Sequence, residues 1–80
     1  MKLTIVKIEW LDARAEAGWA SPESKDENLP VVTIGILGKK TANSQIVYST
    51  YDPQDNHFAD KNMIPLKMIT NVTILREEEL

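Results

Sequence analysis

Residues 3–10, LTIVKIEW, set Val6, Ile8 and Trp10 in alternation with Lys7 and Glu9. In an extended chain successive side chains point to opposite faces, so this run makes a strand with one apolar and one charged face. β-branched residues dominate it, and they suit a pleated surface. The signal recurs at residues 31–37, VVTIGIL. Val32, Ile34 and Ile36 share one face of that strand, taken as its core side. Gly35 sits in mid-strand, where glycine marks a bulge or a bend. Residues 45–51, QIVYSTY, read as a third strand. No segment longer than about eight residues repeats its apolar positions at helical spacing. The chain is therefore expected to be mainly β.

The connections complete the outline. Residues 11–30, LDARAEAGWASPESKDENLP, form a long polar first loop with two readings. Asp12 could cap one helical turn over residues 13–17 that Gly18 ends. Alternatively the segment is irregular and anchored by Trp19. Residues 38–45, GKKTANSQ, read as a hairpin connection, with Gly38 and Asn43 available for positive φ. Residues 52–62, DPQDNHFADKN, read as a polar loop. Met63–Ile64 is then a short fourth strand. Pro65 stops it, because proline cannot donate to a ladder. One tight turn follows, and a last strand runs over residues 69–75. Residues 77–80 read as a solvated acidic tail, leaving residues 1–76 as one domain. Five short strands favour a small closed barrel, since closure removes the exposed edges that make small sheets sticky.

Composition narrows the function classes. The chain has 80 residues and a net charge of −3. A chain this short buries only roughly 60–65% of its unfolded surface, so its core is small. Its basic residues are scattered, with only Lys39 and Lys40 adjacent, which disfavours nucleic acid as a partner. There is no cysteine, hence no disulfide framework, thiolate nucleophile or Cys-ligated zinc. MKLTIVKIEW lacks a signal-peptide pattern, and no apolar run approaches the roughly 20 residues of a bilayer span. A cytoplasmic protein without membrane association is expected.

The element order resembles an SH3-like barrel. MIPLKMITNV carries the closest local likeness: an aliphatic residue, Pro, a one-turn helix, then the closing strand. The aromatic-rich first loop and paired mid-sheet Trp of peptide-binding SH3 domains are missing, so the resemblance does not imply Pro-rich peptide recognition. IEWLDA…GW, VVTIGIL and IPLKMI together also resemble short uncharacterised proteins encoded by phages and prophages. That resemblance implies a bacterial host cell as the setting and carries no known chemistry.

His57 lies in DPQDNHFAD with Asp52, Asp55 and Asp60 nearby. The cluster lacks the spacing of a Ca loop or a zincin and reads as a solvated loop, so no metal and no cofactor is expected. Ser49, His57 and Asp55 can be assembled into a triad on paper, but neither a nucleophile elbow nor a phosphate-cradling Gly loop is present. A non-enzymatic role is expected. Trp10 falls on the apolar face of the first strand. Trp19 either covers an open end of the barrel or joins Tyr48 and Tyr51 in an interface patch, as aromatics bury much area at low entropic cost. The leading expectation is an accessory phage protein that binds a host protein, in the manner of an anti-defence inhibitor. An alternative is an oligomeric sponge for a nucleotide signal, with Arg14, Lys39 and Lys40 on the phosphates and Trp19 or Tyr51 stacking the base. A minor virion component is a third.

Overall fold

The computed structural model describes residues 1–13 and 28–80. The strands are β1 (Lys2–Ala13), β2 (Asn28–Lys40), β3 (Ser44–Asp52), β4 (His57–Pro65) and β5 (Ile69–Glu79), with a 3-10 turn at Leu66–Met68. They form one antiparallel sheet in the order β4-β3-β2-β1-β5. No helix among the described residues is long and apolar enough to cross a membrane.

The alternation in β1 holds: Val6 and Ile8 are fully buried, whereas Lys7 and Glu9 lie on the other face. Directly opposed residues of an antiparallel pair share a face. The β1 register therefore assigns the faces of its neighbours. Trp10 stands between Val31 and Ile69, Ile8 between Thr33 and Val72, and Val6 between Gly35 and Ile74. This corrects the expected face of β2. Val32 and Ile34 stand opposite Glu9 and Lys7 and are 57% and 61% exposed. Val31, Thr33 and Gly35 take the inner face instead, and of the expected core set only Ile36 is buried. Thr33 is tolerated inside because its hydroxyl accepts a 2.9 Å hydrogen bond from Trp10 Nε1.

The core gathers Val6 and Ile8 from β1, Val47 from β3 and Ile64 from β4, with Trp10 and Ile69 packed against it. In a flat sheet β4 would lie three strand spacings, about 14 Å, from β1. Their side chains meet in one cluster because the sheet curls over its inner face. Gly35 is where β2 turns from one half to the other: it pairs with Val6, and pairing with β3 starts at the next residue, Ile36 opposite Tyr48. The sheet is not closed. β4 and β5 remain its two edges, so the expected closure is not what the structure shows.

The β2–β3 hairpin is tied from inside. Gln45 is buried, and its Nε2 lies 2.9 Å from the Gly38 carbonyl, 3.0 Å from that of Ile46 and 3.3 Å from that of Lys39. It donates where the β2–β3 register shifts between Leu37 and Lys40 and leaves carbonyls off the ladder. Gln45→Leu should therefore cost about 1–3 kcal/mol, the penalty for a buried acceptor without a donor. Urea unfolding checks this, and an unchanged midpoint would show that water replaces the amide.

The segment read as a polar loop, residues 52–62, is mostly strand. Only residues 53–56 turn, with the Gln54 amide donating to Asp52 Oδ1 and Asn56 at φ 54°. β4 then starts at His57 opposite Asp52. Its period is broken at Asp60, whose φ is 57°, and this hides the strand in the residue pattern. Pro65 and the tight turn fall where expected, with the Leu66 amide donating to the Asn43 carbonyl. Glu77, Glu78 and Glu79 continue β5 beside Thr4, Leu3 and Lys2.

Candidate functional site: an aromatic strip beside exposed lysines

β3 and β4 bring three aromatic rings together. Tyr51 and Phe58 are directly opposed across the hairpin, with ring centroids 4.7 Å apart. Phe58 also meets Tyr48, centroid to centroid 4.9 Å, at an interplanar angle of 31°. All three are half-buried. Tyr51 is fixed at the hydroxyl end, donating to Asn56 Oδ1 at 2.8 Å with Met1 Sδ 2.9 Å away. Tyr48 differs: among the described residues its hydroxyl has no hydrogen-bond partner. Its ring lies over Gly38, where a methyl group would fall 2.8 Å from Cε2. An aromatic ring laid across a neighbouring strand's glycine covers backbone that would otherwise be bare.

Charge is asymmetric along the strip. Lys61 stands directly opposite Tyr48, and Lys39 and Lys40 follow Gly38. All three lysines are exposed, and none forms an ion pair among the described residues. At the other end are Asp52 and Asp55, and Asp60 lies beside Lys61 near Tyr48; all three are exposed. Asp60 Oδ2 accepts from Ser49 Oγ at 3.0 Å and from Thr50 Oγ1 at 3.5 Å. Ser49 is thus bonded to Asp60, while exposed His57 opens β4. Among the described residues no group of three or more His, Asp or Glu side chains is placed to hold a metal ion.

Of the expected site residues, Tyr48 and Tyr51 do come together, and Lys39 and Lys40 lie at the Tyr48 end. Arg14 and Trp19, like the helical reading of residues 12–18 beyond Ala13, fall outside the described residues. Phe58, Lys61 and Gly38 were missed as site residues. Phe58 is the ring that joins the two tyrosines. The signal that could have found it is the short turn after Asp52, which folds residue 58 back against residue 51.

The chain matches no family model, no curated protein and no solved structure.

Proposed function

We propose that this chain is a non-enzymatic binding protein that grips a protein partner through the Tyr48–Phe58–Tyr51 strip. The observation that carries this reading is Tyr48. Its ring is half-buried, and among the described residues its hydroxyl is unbonded and the lysines beside it form no ion pair. Aromatic side chains with a free polar tip are the usual anchors of protein interfaces. The three rings are spent on one another in tilted contacts rather than held apart as a sandwich, which suits an extended partner surface better than a flat ligand. The lysines call for a carboxylate-bearing patch on that partner, and such charges act chiefly on encounter rate.

The 3-10 turn ahead of β5 and the curled five-stranded order support an SH3-like barrel left open between β4 and β5. The resemblance to phage-encoded proteins makes a protein of the bacterial host the expected partner, with inhibition of a defence function as its purpose.

The test is affinity capture from bacterial lysate, with mass spectrometry of proteins and of released metabolites. The wild-type chain should retain a discrete protein set. Tyr48→Ala should lose it, at a cost on the order of 2 kcal/mol or more of binding. Lys39→Glu with Lys40→Glu should slow capture and remove its salt dependence. A nucleotide released from the wild-type chain, and absent after the Lys changes, would replace this reading with the sponge. Equal capture by wild type and Tyr48→Ala would place the site elsewhere.

A further inference from the structure

Four lysines that lie far apart in the sequence are gathered by the fold. Lys40 of β2, Gln45 of β3 and Ile64 of β4 stand in one row, each opposite the next. Ser44 faces Pro65 in the following row, and the Leu66 amide donates to the Asn43 carbonyl at 2.9 Å. The 3-10 turn Leu66–Met68 is thereby docked beside the β2–β3 hairpin connection. Lys67, in that turn, comes to the same end of the sheet as Lys39 and Lys40. Lys61 stands opposite Tyr48, roughly 10 Å along β4 from the Ile64 row. All four lysines are exposed, and among the described residues none forms an ion pair. The carboxylates that have described partners meet other groups. Glu77, Glu78 and Glu79, beside β1, meet Lys2, Arg76 and the Met1 ammonium. Asp60 accepts from Ser49 and Thr50. Asp52, opposite His57, closes the far end of the β3–β4 ladder, roughly 26 Å from the Ser44–Pro65 row.

We infer that this end of the sheet receives a short acidic segment of the partner, an extended run of about five or six residues that carries several carboxylates. The inference rests on the partner-binding reading, in which Tyr48 anchors the same partner next to Lys61. The span sets the length. From Lys61 to the Lys40 row is roughly 10 Å along β4, and the step from β4 across β3 to β2 is about another 10 Å, which an extended chain covers at about 3.3 Å per residue. The lysines set the chemistry. Each is a compact point charge on a flexible stem, and no arginine stands among them to fix a single carboxylate or phosphate bidentately. Like charges gathered in this way repel one another, and a segment with several negative charges relieves that repulsion. The borders of the patch set the size. Asp52 and Asp55 lie beyond it at the far end of the β3–β4 hairpin, and the glutamates of β5 lie beyond β1. A nucleic-acid backbone that overran the patch would meet those carboxylates on a chain of net charge −3. A short acidic peptide ends before it reaches them, and screening beyond about 8 Å at physiological salt keeps each lysine acting on the carboxylate beside it.

A hexaglutamate peptide titrated into the isotope-labelled chain, followed by two-dimensional NMR, tests this. The amides of residues 39–44 and 61–67 should shift and saturate, while hexaglutamine should leave them in place. Added salt should weaken the binding. Lys67→Glu alone, and Lys39→Glu with Lys40→Glu, alter exposed side chains and should keep the spectrum of the folded chain. Each should weaken hexaglutamate binding by about two- to fivefold, the scale of exposed ion pairs. Tyr48→Ala should leave hexaglutamate bound while it abolishes capture of the partner. The inference is overturned if hexaglutamate gives no saturable shift or if the lysine variants bind it as wild type does. It is also overturned if an oligothymidylate of equal charge binds the same residues about tenfold more tightly, which would make nucleic acid the occupant. Equal capture by wild type and Tyr48→Ala, with hexaglutamate still bound at the lysines, would overturn the partner-binding reading instead.

Discussion

Ile8→Ala should lower the unfolding free energy by about 2–5 kcal/mol, while Ile34→Thr should change it by less than about 0.5 kcal/mol. The two isoleucines sit on neighbouring strands and differ in which way they point. Ile8 is fully buried in the cluster with Val6, Val47 and Ile64. Truncating it removes apolar contact from the middle of that cluster and leaves a void that a curled sheet cannot collapse, since β1 is held on both sides by β2 and β5. Ile34 is 61% exposed opposite Lys7, and threonine keeps the β-branch that the strand prefers. A domain of this size has a total stability of roughly 4–12 kcal/mol, so Ile8→Ala takes a large share of it. Urea unfolding of both variants is the measurement. Should Ile8→Ala fail to fold, Ile8→Val, expected at about 0.5–1.5 kcal/mol, supplies the graded value. A larger loss from Ile34→Thr than from Ile8→Val would mean that the inner and outer faces of β2 are exchanged.

That contrast also marks how far the residue pattern could be read. β1 was legible, faces included, because Lys7 and Glu9 can only point outward among its aliphatics. β2 was legible as a strand but not by face. VVTIGIL is apolar at both phases apart from Thr33 and Gly35, and the majority set, Val32, Ile34 and Ile36, looked like the core. What decided otherwise is register, which places Thr33 beside Ile8 and under the Trp10 indole. Register depends on long-range pairing and leaves no trace in a single strand. β4 was invisible over residues 57–62 for a different reason: the left-handed backbone at Asp60 breaks the period, and apart from half-buried Phe58 every residue there is exposed. Pro65 needed no such context, because a missing amide is a local fact. The candidate site divides the same way. Tyr48 and Tyr51 are neighbours along β3, but Phe58 joins them only through the hairpin register.

Gly35→Ala tests the curl itself, and two effects compete there. In an unconstrained strand the change would stabilise by about 0.4–1 kcal/mol, because alanine restricts the unfolded chain. At Gly35 a Cβ would fall 2.6 Å from Val47 Cγ1 and 2.7 Å from the Tyr48 carbonyl oxygen. The first contact is with a core side chain that is itself fully packed, and the second is with backbone, which cannot swing aside. Relief requires β3 to move off β2 at the point where the two begin to pair, and that opens the cluster between Val47 and Val6. Overpacking costs typically about 1–3 kcal/mol, and a backbone clash places this variant at or above the upper end, so the steric effect wins. The double variant Gly35→Ala with Val47→Ala separates the two contacts. Removing Cγ1 relieves the first and not the second, so the pair should destabilise by less than the sum of the singles yet remain well below wild type. Full additivity would show that Val47 does not lie over Gly35. A Gly35→Ala chain as stable as wild type would show that β3 does not cross β2 there at all, and the core that joins β1 to β4 would lose its geometric basis.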